Sequence, residues 1–75
     1  MKVNYERAKK IALETIGEIN ACREFEKAYH FYDKNKDTDG EFGIVILKEN
    51  GKKLNWVNFI LNYHPEKNPK ELEYK

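Results

Sequence analysis

From Gly43 onward the chain alternates apolar blocks with one polar break: Ile44-Val-Ile-Leu47, then Lys48-Glu-Asn-Gly-Lys-Lys53, then Leu54-Asn-Trp-Val-Asn-Phe-Ile-Leu-Asn-Tyr63. Asn50-Gly51 is a dipeptide that tolerates positive φ at both centres of a type I′ turn, and β-forming residues flank it, so the pattern predicts a β-hairpin. A two-residue loop sets the register, with Glu49 facing Lys52, Leu47 facing Leu54, Val45 facing Trp56 and Ile44 facing Val57. One face then carries Val45, Leu47, Leu54 and Trp56, and the other Phe42, Ile44, Ile46, Val57 and Phe59. Both faces are apolar, so such a hairpin needs cover on both sides. The second arm has a helical rival, because Asn55, Asn58 and Asn62 fall on one side of a 3.6-residue repeat; the turn dipeptide favours a strand through about Ile60.

Ahead of the hairpin, Asn4 is placed to cap a helix in which Tyr5, Ala8, Ile11, Ala12, Thr15, Ile16 and Ile19 recur at three- and four-residue spacing. Gly17 is its natural end, although Ile19 allows one further turn. Ala21 to Asp33 is read as a strand with Phe25, Tyr29 and Phe31 on one face, the rival being a second helix. Asp33 to Gly40 is a polar loop. Pro65 and Pro69 interrupt the tail from His64 to Lys75, leaving at most a short turn at Lys70-Glu-Leu-Glu, with Leu72 and Tyr74 available to pack on an edge or a face. The predicted fold is α+β: one N-terminal helix packed on a small antiparallel β-meander (α-β-β-β), with an irregular C-terminal tail, all in a single domain spanning 1–75.

Composition narrows the function classes. A chain of 75 residues buries only about 60% of its unfolded surface, so its stability is modest. With 14 basic and 13 acidic residues there is no field to select nucleic acid or an anionic membrane, and no segment approaches membrane-spanning length. Cys22 is the only cysteine and fits a reducing cytoplasm. The abundance of Asn, Lys, Glu, Ile and Tyr, with Ser and Gln absent, is reminiscent of an AT-rich bacterial genome.

The candidate chemistry is sparse. Without serine a Ser-His-Asp triad is impossible, and the single thiol would need His30 or His64 beside it. Cys22 and His30 are read as core residues, and Glu24 and Glu26, with Lys27 nearby, as solvated charges. No phosphate-binding glycine loop, paired-cysteine zinc spacing or dinucleotide fingerprint occurs, so no cofactor is expected and the chain is read as non-enzymatic. Asp33-Lys-Asn-Lys-Asp-Thr-Asp-Gly-Glu-Phe42 resembles the first half of an EF-hand loop: from Asn35, oxygen ligands fall at places one, three and five and Gly40 at six. The bidentate glutamate required at place twelve is replaced by Ile46, so Asp33, Asn35, Asp37, Asp39 and Glu41 make at best a weak divalent-ion site, kept as the alternative function. His64-Pro-Glu-Lys-Asn-Pro69 is similar to the loop of J-domain co-chaperones. Glu66 stands where that family has Asp and no four-helix pattern surrounds it, so no function is carried over.

The aromatic surplus points to protein contact, since Trp and Tyr are enriched at interface hot spots. Tyr29, Phe31, Trp56, Phe59 and Tyr63 are the candidate contact residues. Stacking of bases on Tyr29, Phe31 and Trp56 is disfavoured by the acidic loop beside them. Ala28-Tyr-His-Phe-Tyr32 and Gly43-Ile-Val-Ile-Leu-Lys-Glu-Asn-Gly-Lys52 together resemble small bacterial α+β proteins grouped with the immunity proteins of polymorphic toxin systems. In that family an aliphatic strand enters a charged turn closed by Gly and a polar-to-apolar strand follows; Ile44 to Leu47, Lys48 to Asn50, Gly51, and Lys53 to Val57 hold those places, over about half the chain. The resemblance implies a non-catalytic cytoplasmic protein that acts by binding another. Because one helix covers only one hairpin face, a homodimer joined sheet to sheet is also expected.

Overall fold

A computed structural model describes residues 2–17, 19–33 and 43–72. Helix α1 (Tyr5–Thr15) is followed by strands β1 (Ala21–Glu24), β2 (Ala28–Tyr32), β3 (Ile44–Leu47) and β4 (Lys53–Leu54), a second helix α2 (Trp56–Tyr63) and a last strand β5 (Lys70–Leu72). The strands form one antiparallel sheet in the order β4-β3-β2-β1-β5. The chain is therefore α+β, with an N-terminal helix on a meander, and it adds an edge strand and a helix within the region expected to be plain strand and tail.

α1 starts where Asn4 accepts a hydrogen bond from the Arg7 amide at 2.9 Å, and it ends ahead of Gly17, whose φ of +80° breaks the helical repeat. Ile19 does not extend the helix; it packs into the core from the following segment. Ala8 and Ala12 are fully buried, and their small side chains let the helix approach the sheet closely. The Tyr5 ring meets Tyr29 edge-on at 6.0 Å and Phe31 at 5.8 Å. This first core holds Cys22, Tyr29, Phe31, Ile44 and Ile46 beneath α1.

The segment read as one strand from Ala21 to Asp33 is a hairpin, turning at Glu26-Lys27 and closed by the Phe25 amide on the Ala28 carbonyl at 2.8 Å. Folding it back makes β2 central, which explains why all five of its residues are buried although His30 and Tyr32 lie opposite Tyr29 and Phe31. Phe25 then belongs to the second face, with Ala28, and not to the face of Tyr29 and Phe31.

The turn at Asn50-Gly51 also differs in length. Gly51 holds φ +73°, while no non-glycine residue of the turn has positive φ, so the type I′ form is not made. Lys48 to Gly51 instead form a four-residue loop: the Leu47 amide donates to the Lys52 carbonyl at 3.0 Å and the Gly51 amide to the Leu47 carbonyl at 2.8 Å. Asn50 stabilises it by accepting from the Lys52 amide with its side chain. Val45 consequently faces Leu54 and Ile46 faces Lys53, a shift of two residues from the expected register. Since side chains alternate with a period of two, that shift preserves the face of each strand residue, whereas Phe59, expected on the face of Ile44 and Ile46, joins Val45 and Leu47 in the opposite core because the chain beyond Leu54 is helical.

The largest correction is the second arm. β4 stops after two residues, and the segment expected as strand to about Ile60 becomes α2. Asn55 caps it, accepting from the Asn58 amide at 2.7 Å, and His64 ends it in the left-handed region with φ 46° before Pro65. A continuing strand would have left one sheet face open; the helix instead places Phe59 and Trp56 over Phe25, Ala28, Val45 and Leu47 as a second core. The gain from burying that face overrides local β preference. It also supplies, within the chain, the cover expected from a second copy packed sheet to sheet. β5 then pairs with β1 through Cys22–Leu72 and Arg23–Glu71, so part of the tail expected to be irregular is sheet.

Candidate functional site

Helical geometry fixes what each α2 residue sees. Phe59, 1% exposed, points into the second core, meeting Phe25 edge-on at 5.2 Å, with Trp56 and Tyr63 on the same side. Trp56 lies flat on the buried His30 ring, centroids 4.6 Å apart and planes within 20°, and His30 in turn stacks on Tyr32 at 5.2 Å. The Arg23 guanidinium covers Tyr32 at 4.6 Å, and the Tyr32 hydroxyl donates to Glu71 at 2.8 Å. This column of rings ties α2 to β2, β1 and β5. Burial, reinforced by the bond to Glu71, raises the Tyr32 hydroxyl above its ordinary pKa, so it remains a proton donor there.

The outward side of α2 is unusual. A helix that covers a sheet normally shows polar residues to water, yet Val57 and Leu61 occupy the outermost ridge, 61% and 65% exposed, with Ile60 beside them at 39%. Asn58 and Asn62 take only one flank, and none of the eight residues is charged in a chain of 36% charged residues. Next to the ridge lies a hollow of about 420 Å³ whose lining mixes apolar residues, Phe25, Trp56, Ile60, Pro65 and Pro69, with the polar or charged Arg23, His64, Glu66 and Lys67. A protruding apolar ridge beside a hollow of mixed polarity is suited to docking a macromolecule.

The candidate contact residues separate accordingly. Tyr29, Phe31 and Phe59 are buried and fill the two cores, leaving no surface for a partner. Trp56 is half-buried and reaches the surface along the hollow, and Tyr63 is exposed at the far end of α2. Val57, Ile60 and Leu61, the largest exposed contribution, were missed because a strand distributes them across both faces. The helical spacing of Asn55, Asn58 and Asn62 was the signal that would have found them.

Of the divalent-ion candidates, Asp33 accepts from the Asn20 side chain at 3.0 Å, while Asn35, Asp37, Asp39 and Glu41 lie outside the described residues. Among the described residues no group of three or more His, Cys, Asp or Glu side chains is placed to hold a metal. Cys22 is fully buried; burial first, and Glu24 second, push its thiol up to about 12, which keeps it protonated and poorly nucleophilic at neutral pH. Glu24 pairs instead with Lys48 at 2.7 Å, and that ammonium sits 4.9 Å from the Tyr29 ring centre.

In the toxin-immunity resemblance, the strand assigned to Lys53 to Val57 is present only as Lys53–Leu54 before α2 begins. Among the described residues no helix is long and apolar enough to cross a membrane. Compared with models of known families, with curated proteins and with solved structures, the chain finds no match.

Proposed function

We propose that this chain is a non-enzymatic protein-contact module, working in the cytoplasm, whose contact surface is the outward side of α2. The single observation that carries the reading is the exposed ridge of Val57 and Leu61 on an uncharged helix. Charged residues are depleted and apolar ones concentrated at the centres of protein interfaces, and this ridge has that composition, with Val57 and Leu61 more exposed than the other exposed large apolar side chains, Leu13 and Ile16 included, among the described residues. The single unpaired cysteine supports a reducing compartment. An immunity-like role against a toxin is the narrower form of the reading, supported by the β2 and β3 part of the resemblance.

The test is a photoreactive residue placed at Asn58, which is exposed beside the ridge and whose side chain caps nothing. Irradiation in cells should give a protein adduct, and the same probe at Lys10 on α1 should not. Equal labelling from both positions, or none from Asn58, would remove the basis for the reading.

A further inference from the structure

Asn50-Gly51 is the one place in the chain where an asparagine precedes a glycine. A backbone amide nitrogen can attack the carboxamide carbon of the asparagine before it, and a side chain on the attacking residue obstructs that approach; glycine has none. Every other asparagine here is followed by a residue that carries a side chain. The loop between β3 and β4 also arranges the reacting groups. The Lys52 amide donates to Asn50 Oδ1 at 2.9 Å, a bond that folds the carboxamide back over the Asn50-Gly51 peptide. Oδ1 is the oxygen that becomes negative when nitrogen adds to Cγ, so the same donor stabilises the developing charge. Asn50 is exposed, and water and hydroxide reach it. One contact opposes the step: the Gly51 amide, the attacking group, donates to the Leu47 carbonyl at 2.8 Å and has to leave it first. We propose that Asn50 is a site of spontaneous deamidation, its carboxamide activated by the Lys52 amide and its conversion held back by the bond from Gly51 to Leu47.

Hydroxide removes the Gly51 amide proton, the nitrogen bonds to Asn50 Cγ, and the bond from Cγ to Nδ2 breaks, with Nδ2 taking a proton from water and leaving as ammonia. Water then opens the cyclic imide. Cleavage between the nitrogen and Cγ gives aspartate, and cleavage between the nitrogen and the main-chain carbonyl carbon gives isoaspartate; nothing is oxidised or reduced. Either product adds one negative charge to a chain of formal charge +1. Isoaspartate also inserts a methylene into the main chain and displaces the oxygen that the Lys52 amide holds. It therefore opens the loop and loosens the chain where β4 enters the Asn55 cap of α2.

The full chain, incubated at mildly alkaline pH both folded and in urea, is followed by intact mass and by peptide mapping with isoaspartyl methyltransferase labelling. The mass should rise by the difference between NH2 and OH, and the change should map first to the peptide that holds Asn50. Conversion should be about fivefold or more slower in the folded chain, the factor that one net hydrogen bond supplies. Asn50→Asp should lose the early gain in mass, and the isoaspartate form, once separated, should unfold at a lower urea concentration than the unconverted chain. An unchanged mass in both conditions, conversion spread evenly over the other asparagines, or a rate in the folded chain equal to or above that in urea would overturn the proposal. So would an isoaspartate form as stable as the unconverted chain.

Discussion

Phe59 is the one fully buried side chain of α2, and its removal tests whether that helix is the lid of the second core. Phe59→Ala deletes a ring in contact with Phe25, Trp56 and Tyr63 and opens a cavity over Val45 and Leu47. Buried Phe→Ala changes cost about 3–5 kcal/mol, the lost transfer energy plus the unfilled cavity. A domain of this length has only about 4–11 kcal/mol in total, so the variant should lose roughly a quarter of its stability or more. Urea unfolding at low micromolar concentration, followed by Trp56 fluorescence and by circular dichroism, measures this directly. Trp56 is the only tryptophan and stacks on His30, so its emission reports α2 docking. Asn55→Ala should cost about 1 kcal/mol through the lost cap, whereas Leu61→Ala should stay within about 0.5 kcal/mol. A Phe59→Ala loss below about 1 kcal/mol, or an Asn55→Ala variant as stable as wild type, would refute the helical lid.

Four further outcomes follow from the same geometry. Gly43→Ala should prevent folding or cost several kcal/mol, because at φ +95° a Cβ would meet the Phe31 carbonyl oxygen and Tyr32; a near-normal melting temperature would contradict that close approach. Gly51→Ala should cost about 1 kcal/mol in chemical denaturation, from the left-handed backbone with added pressure on Val3 and Ile11, and an unchanged midpoint would count against the four-residue loop. Cys22 ionises first in the unfolded chain, so its contribution is intact below pH 9.0 and is lost as pH climbs toward about 12, at up to about 1.4 kcal/mol per pH unit. Urea midpoints at rising alkaline pH should fall less steeply in Cys22→Ala, and equal slopes would refute the assignment. Calcium should bind no tighter than the roughly millimolar range of the weakest calcium modules, because no carboxylate stands at the twelfth place; micromolar binding by calorimetry, lost in Asp37→Ala, would reverse that.

Local chemistry determined what depends on neighbours in sequence. The Asn4 cap, the Ala8 and Ala12 stripe and the Gly17 stop define α1 through interactions within a turn or two. The aliphatic run Ile44 to Leu47 is a buried strand, and the sorting of Val45, Leu47 and Leu54 against Ile44 and Ile46 survives even a two-residue slip, because it follows from alternation alone; alternation puts Phe59 with Ile44 and Ile46, and the helix carries it to the opposite core. The demand for cover on both faces was legible in the same alternation. Which segment provides it was not. Leu54 to Tyr63 has apolar residues at spacings that satisfy both a strand and a helix, and only the distant surface formed by Phe25, Ala28, Val45 and Leu47 selects the helix by offering Phe59 a place to be buried. The hairpin between β1 and β2 and the pairing of β5 with β1 likewise rest on contacts between residues far apart in the chain, such as Tyr32 with Glu71. The candidate site shares that origin. Val57, Ile60 and Leu61 form one outward patch only because tertiary burial has turned Phe59 inward, so their exposure is a property of the folded chain and not of any window of its sequence.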